Sequence, residues 1–204
     1  MNLNPTRRVT RPLLAAAALA FAPAAWAQAS LSLLAGYAGG GSFEEARTGA
    51  SVDVASSAAF ALALELPYDA SRQWQVFYAQ QASHFDLGPG AGRADLSVRY
   101  LHLGGTVHFS DRAGEGAYLA GGLGATWFSP SAPGYESGLR PSLSLALGYA
   151  QPLGKQFALR AELRGYASFI NSSGGFLCSG GCVAVLKGDA FAQAQALIGL
   201  TARF

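Results

Sequence analysis

The stretch Ala190-Phe-Ala-Gln-Ala-Gln-Ala-Leu-Ile-Gly-Leu-Thr-Ala-Arg-Phe204 alternates without a break. Every second residue back from Phe204 gives Ala202, Leu200, Ile198, Ala196, Ala194 and Ala192. The intervening set is Arg203, Thr201, Gly199, Leu197, Gln195, Gln193 and Phe191. Period-two alternation over this length specifies a β-strand with one apolar side and one mixed side of small and polar groups.

Seven further segments carry the same period. Residues 30–39 set Leu31, Leu33, Ala35 and Tyr37 on one face. Residues 52–66 set Phe60, Leu62, Leu64 and Leu66 against Ala59, Ala61, Ala63 and Glu65. Residues 117–129 oppose Leu119, Leu123, Ala125 and Trp127 to Tyr118, Gly122, Gly124 and Thr126. Residues 139–150 oppose Leu143, Leu145, Leu147 and Tyr149 to Ser142, Ser144, Ala146 and Gly148. Residues 157–169 oppose Phe157, Leu159, Ala161, Leu163, Ala167 and Phe169 to Arg160, Glu162, Arg164 and Ser168.

Two segments are less regular. In 74–85, an apolar face of Trp74, Val76 and Tyr78 turns Gln80 outward, whereas the opposite phase exposes Gln75 and Gln81. In 96–109, the alternation shifts near Tyr100; Leu101, Leu103, Val107 and Phe109 share a face below it. The upper half either runs beyond an apolar layer or carries a bulge.

The start of the chain reads differently. Arg7, Arg8 and Arg11 precede the apolar run 13–22, and Ala25-Trp26-Ala27 offers small residues at a cleavage site. This is a secretory signal peptide over 1–27, too short for a spanning helix. Thr10 and Arg11 stand where a twin-Arg signal wants large apolar residues, so the general secretory route is expected. Of 204 residues, removal of 27 leaves a single domain, 28–204.

The leader holds three of the fourteen basic residues and none of the twelve acidic ones. The remainder carries eleven against twelve, a net charge of −1, which argues for no nucleic-acid partner. Charged residues are 13% of the chain, about half of the ~25% usual in soluble domains. Hydrocarbon admits only helices and closed barrels, because every backbone polar group there must be bonded internally. An exported chain poor in charge, with alternating strands and no apolar run of ~20 residues, is therefore expected to be all-β: an eight-stranded antiparallel up-and-down transmembrane β-barrel.

Eight strands put both ends of 28–204 on the periplasmic side. The turns at 67–73, 110–116 and 151–156 are then periplasmic, and the loops at 40–51, 86–94, 129–138 and 171–188 face outward. Aromatic residues gather at those levels: Tyr68, Trp74, Phe109, Tyr118, Tyr149, Phe157 and Phe204 at one, Tyr37, Trp127 and Phe169 at the other. Two such belts, one strand crossing apart, form an interface girdle.

Arg160, Glu162 and Arg164 share a face, and lipid exposure of each Arg near the midplane costs ~2–4 kcal/mol. They are expected in the lumen as a packed charge network, with Glu65 and Arg203 as partners. His102 and His108 also share a face, but six residues at ~3.3 Å each separate them by ~20 Å, too far for one metal ion. His84 stands near Asp86 beside an outer loop, where a lone pair of this kind is expected to be solvated; no metal or cofactor is expected. Cys178 and Cys182 lie in the longest outer loop, where an oxidising compartment makes a disulfide the expected state, stabilising the ordered loop by about 2 kcal/mol.

The leader, the eight alternating segments, the Gly-rich Tyr118-Leu-Ala-Gly-Gly-Leu-Gly124 and the ending Gly199-Leu-Thr-Ala-Arg-Phe204 together resemble the small outer-membrane β-barrel family. That group includes the OmpA transmembrane domain, OmpX, OmpW and the opacity-type proteins. The resemblance covers the whole of 28–204, and no peptidoglycan-binding segment is expected after the last strand. It implies transit with periplasmic chaperones and insertion by the barrel-assembly machinery, which reads the terminal strand through Gly199 and Phe204.

The resemblance further implies a monomer that touches outer-membrane lipids and lipopolysaccharide. The function expected is a non-enzymatic surface and envelope role through the outer loops. The alternatives are a passive, OmpW-like conduit for small, including hydrophobic, molecules, and an outer-leaflet lipid A-modifying enzyme. For the last, His108-Phe109-Ser110 is similar to the His-x-Ser of lipid A deacylases. However, Asp111 replaces the Asn of that pattern, and the pair is expected at the periplasmic rim. A soluble lipocalin-like barrel would reverse which face is wet.

Overall fold

The computed structural model describes residues 29–40, 42–45, 51–53, 55–86, 93–131, 137–169, 186–187 and 190–204. The expected leader, 1–27, and the Cys178–Cys182 disulfide lie outside these residues. Every regular element among them is a strand: β1 Ser30–Gly39, β2 Ser42–Glu45, β3 Ser51–Asp53, β4 Ser57–Pro67, β5 Arg72–Asp86 and β6 Arg93–His108. The set continues with β7 Gly116–Pro130, β8 Gly138–Pro152, β9 Phe157–Phe169, β10 Leu186–Lys187 and β11 Ala190–Arg203.

Eight of these close into an antiparallel barrel in the order β1-β11-β9-β8-β7-β6-β5-β4. Apart from the closure, each strand pairs with its sequence neighbours in the barrel. Closure comes from β1 against β11, running from Ser30 opposite Arg203 to Gly39 opposite Ala194. The Phe204 amide donates to the Ala29 carbonyl at 2.9 Å, so the seam is bonded to its end, and on the other edge of β11 the Arg203 amide donates to the Gln156 carbonyl at 2.8 Å. Gly199 sits on this seam, and a Cβ there would collide with the Leu33 carbonyl across it.

The pleat sorts the side chains by solvent. Leu33, Phe60, Leu103, Leu123, Leu145, Leu163 and Ile198 all point outward and stand exposed. Small and polar residues turn inward and are buried, among them Ser32, Ala61, Gln75, Thr106, Ser144 and Gln195. An outer surface of leucine around a polar interior is the reverse of a water-soluble barrel, and hydrocarbon is the solvent it suits.

On the face opposite the short turns, β10, β2 and β3 form a separate three-stranded sheet. The segment expected as one strand over 52–66 is therefore two elements, with β3 leaving the barrel wall before β4 begins. The open phase in 74–85 is also settled: Trp74, Val76, Tyr78 and Gln80 face outward, Gln75, Phe77 and Gln81 inward. Gln80 tolerates this because its Oε1 accepts a hydrogen bond from the Tyr78 hydroxyl at 3.0 Å.

No bulge interrupts β6, whose register against β5 and β7 is continuous. Leu96, Val98 and Tyr100 are buried inside, while Asp95, Ser97 and Arg99 face out. The apparent shift at Tyr100 is a change of surroundings: above that level β6 turns apolar residues inward and polar ones outward. Of the expected girdle, Tyr37, Tyr68, Trp74, Phe109, Trp127, Tyr149, Phe157, Phe169 and Phe204 are exposed on the outer face. Tyr118 is corrected: it is fully buried in the lumen, because its position in β7 has the inward parity of Ala120 and Thr126.

The first turn is fixed by Asp69, whose Oδ1 accepts from the amides of Ser71 at 3.0 Å and Arg72 at 2.8 Å. Its Oδ2 meets the Arg72 guanidinium at 2.6 Å, and that bond holds the carboxyl below the ordinary carboxylate range. Tyr68 and Trp74 pack edge to face beside it, with centroids 5.8 Å apart. The Ala113 amide donates to the Ala70 carbonyl at 2.6 Å, tying this turn to the next.

The two faces give opposite expectations for one strand. Leu145→Arg, on the outer face of β8, is expected to lose about 2–4 kcal/mol of unfolding free energy in phospholipid vesicles. Gly148→Ala, on its inner face, drives a Cβ into the Tyr118 ring and is expected to lose about 1–3 kcal/mol through overpacking. Urea titrations followed by tryptophan fluorescence measure both.

Candidate functional site

The half of the lumen next to the short turns holds four charges that cancel. Arg160 Nη1 lies 2.8 Å from Glu65 Oε2, and its Nη2 lies 2.9 Å from Glu162 Oε2. Arg164 Nε lies 2.7 Å from Glu162 Oε1. All four side chains are buried. The alternation of β9 places three of them in one inward row, and the pairing β1–β4 brings Glu65 beside Ser30.

Neutral groups complete the shell around each charge. Glu65 Oε1 accepts from Gln75 Nε2 at 2.8 Å and Thr106 Oγ1 at 3.0 Å. The Ser30 hydroxyl donates to Glu65 Oε2 at 3.3 Å. Arg160 Nε donates to the Tyr118 hydroxyl oxygen at 2.6 Å, and that hydroxyl donates onward to Glu162 Oε2 at 2.7 Å. Arg164 donates to Gln75 Oε1 at 2.9 Å and Ser144 Oγ at 3.0 Å. Arg160 also reaches Ser32 Oγ at 3.3 Å, which is 2.8 Å from Thr201 Oγ1.

This network takes a member from every strand of the barrel wall: Ser30 and Ser32 from β1, Glu65 from β4, Gln75 from β5, Thr106 from β6. Tyr118 comes from β7, Ser144 from β8, the three charges from β9 and Thr201 from β11. Two rings cover the guanidinium faces: Arg164 over Phe77 at 3.7 Å and Arg160 over Tyr118 at 4.5 Å. Desolvating four ions in a narrow barrel is tolerable only with such complete pairing.

Arg203 is not part of it. Its guanidinium lies over the second turn, donating to the Gly114 carbonyl at 2.5 Å and lying 3.4 Å from Glu115 Oε1. The expected pairing with the luminal charges is therefore replaced by a clasp between β11 and the turn before β7. Parity alone could have nominated Ser32, Gln75, Thr106, Tyr118 and Ser144. Their meeting required the register between strands, which one sequence does not give.

The half away from the short turns is closed by rings. Tyr100 and Tyr166 stack at 3.9 Å, with their hydroxyls donating to Gln193 Oε1 at 2.7 Å and Gln195 Oε1 at 2.8 Å. His102 stacks 5.7 Å from Tyr166, and its Nε2 lies 2.9 Å from Ser142 Oγ. Phe128 and Phe191 meet edge to face at 5.5 Å above them.

At the rim beside the second turn, His108 and Ser110 both engage that turn. His108 Nε2 accepts from the Gly114 amide at 3.0 Å and its Nδ1 lies 3.2 Å from the Glu115 carbonyl. The Ser110 hydroxyl lies 2.8 Å and 2.6 Å from the carbonyls of Arg112 and Glu115, so it is engaged by the turn backbone and shares the Glu115 carbonyl with His108. Among the described residues, no three His, Cys, Asp or Glu side chains are grouped to hold a metal ion.

Removing one member of the buried pairs should expose the difference between lumen and rim. Glu162→Ala leaves Arg160 and Arg164 short of their shared carboxylate and is expected to cost about 3–5 kcal/mol. Glu115→Ala opens the part-exposed clasp to Arg203 and is expected to cost at most about 1 kcal/mol. Unfolding free energies in vesicles compare them directly.

By sequence, no protein-family model and no characterised relative matches the chain. By structure, the chain is similar to Neisserial surface protein A at 13% identity, covering 86% of this chain and 97% of that one, with a TM-score of 0.57. It is similar to the outer membrane protein OprG from Pseudomonas aeruginosa at 14% identity, over 86% and 95% of the two chains, with a TM-score of 0.51. It is also similar to Ail, the attachment invasion locus protein of Yersinia pestis, at 19% identity over 87% and 99%, with a TM-score of 0.50; that structure is a complex with the heparin analogue sucrose octasulfate. With its closed eight-stranded antiparallel wall, the chain has the fold of the small outer-membrane β-barrels.

Proposed function

We propose that the chain is an exported, non-enzymatic integral protein of the bacterial outer membrane that acts at the envelope surface through its extracellular loops. The observation that carries this reading is the filled lumen. A charge-neutral network joins all eight strands in the lower half, and stacked Tyr100 and Tyr166 with Phe128 and Phe191 occupy the upper half. An interior packed in this way serves the wall, which leaves the loops and the outer face to meet other molecules.

The fold agrees with this placement, since two of the similar structures are of proteins named for the surface or for attachment. Export through a cleaved leader, chaperoned transit, and recognition of Gly199 and Phe204 by the barrel-assembly machinery belong to the same reading. Membrane fractionation and heat-modifiable migration test the placement: the folded chain should enter the outer-membrane fraction and migrate faster before boiling. Recovery in the soluble fraction would contradict it.

Planar bilayers separate the surface role from a conduit. The purified protein is expected to give no reproducible conductance steps; regular channels at micromolar protein would favour transport. Lipid A from overproducing cells is expected to keep its mass, because Ser110 and His108 are engaged elsewhere. Loss of an acyl chain would restore the enzyme reading.

A further inference from the structure

Arg99 is the sole cation that the described side chains place on the outer face between the strand ends. Arg72, at the opposite rim, is held by Asp69 at 2.6 Å. Arg99 is exposed and makes no ion pair or hydrogen bond. The nearest outward carboxylate on its own strand, Asp95, is four residues further along, about 13 Å at strand rise.

Its neighbours are donors too. Arg99 stands directly opposite Gln80 on β5 and directly opposite Trp127 on β7. Residues so paired have Cβ atoms about 4.5–5.5 Å apart, so the three side chains share one patch. Gln80 Oε1 is already engaged by the Tyr78 hydroxyl, which leaves its NH2 group free to donate. The Trp127 indole N–H, in a side chain 54% exposed, also makes no hydrogen bond within the protein. A guanidinium, an amide NH2 and an indole N–H therefore stand on adjacent strands of one outer patch, each with N–H capacity that the protein leaves unused.

The position along the strand sets the class of acceptor. Trp127 belongs to the outer aromatic belt, and its pairing with Arg99 puts the guanidinium at that level. Immediately toward the periplasm, the same face presents Leu101, Leu103 and Leu123, all exposed. A molecule that satisfies both parts carries an anionic group at the height of the belt and hydrocarbon below it.

We propose that Arg99, Gln80 and Trp127 form a seat for the phosphate of a phosphorylated glycolipid of the outer leaflet, whose acyl chains lie over Leu101, Leu103 and Leu123. This rests on the outer-membrane reading and adds a specific lipid contact to it. Charge-assisted hydrogen bonds from guanidinium to phosphate give the selectivity. A cation merely hydrated among headgroups would show no preference for a phosphorylated over a neutral glycolipid.

The test uses the protein without its leader, folded in neutral maltoside micelles and titrated with diphosphoryl lipid A or with the same glycolipid stripped of its phosphates. Native mass spectrometry reads the lipid retained. The wild type is expected to prefer the phosphorylated form about tenfold, the ratio for gain of a charge-assisted bond. Arg99→Gln should abolish that preference, Arg99→Lys should keep part of it, and Arg72→Gln should leave it unchanged.

Equal retention of both glycolipids by the wild type, or an undiminished preference in Arg99→Gln, overturns the seat. Heat-modifiable migration of each variant distinguishes this from a wider failure. A normally folded barrel without preference removes the seat alone, whereas a wild type that never forms a detergent-stable barrel removes the outer-membrane reading and the seat with it.

Discussion

Hydrocarbon offers a peptide backbone no hydrogen-bond partner, so this chain can cross it only if its last strand finds its first. The seam between β1 and β11 is that meeting, and most of the architecture follows from it. Closing eight strands fixes a narrow interior. A narrow interior must then be filled with side chains that satisfy one another, while the outside is left to leucine, alanine and aromatic rings. The inward Gly199 is where the two demands touch, since a larger residue would separate the strands that must pair.

The interior is divided by chemistry into two layers. The lower layer is ionic and binds strands that are distant in sequence: Arg160 and Glu65 are 95 residues apart in the chain and hydrogen-bonded at 2.8 Å. The upper layer is aromatic and glutamine-rich, with Tyr100 reaching Gln193. Buried ions stabilise only when every charge is answered. Here the answer is supplied by hydroxyls and amides from all the other strands, so the network serves as a register key as well as a filling. A strand slipped by one residue would turn Arg160, Glu162 and Arg164 into lipid and bring Leu159, Ala161 and Leu163 inside.

Much of this was legible in the residues. In β8 and β9 the alternation is so regular that the lipid face and the inward charges could be read directly. Glu65, Arg160, Glu162 and Arg164 could be brought together on the argument that no Arg is left in hydrocarbon. What failed did so for identifiable reasons. Gln occurs on both faces of β5, because Gln80 sits beside Tyr78 at the level of the outer belt; hydropathy could not choose a phase. In β6 the polarity of inside and outside exchanges above Tyr100, which mimics a slip of the pleat. Closeness to a turn groups Tyr118 with the girdle, whereas its parity belongs to the lumen. Arg203 shares the inward parity of the luminal charges and is expected among them, whereas its guanidinium lies over the rim against Glu115 and Gly114. The small sheet of β2, β3 and β10 depends on pairing across more than a hundred residues, and nothing local announces it.

The central claim is that the barrel's greasy pleat faces lipid and its polar pleat is sealed. Nitroxide labels placed singly along β8 from residue 142 to 147, in a background with Cys178 and Cys182 replaced by serine, test it most directly. In vesicles, power-saturation spectra should show labels at 143, 145 and 147 accessible to oxygen dissolved in lipid and closed to a water-soluble nickel complex. Labels at 142, 144 and 146 should be shielded from both. Nickel access at the odd positions, or oxygen access at the even ones, would contradict the account.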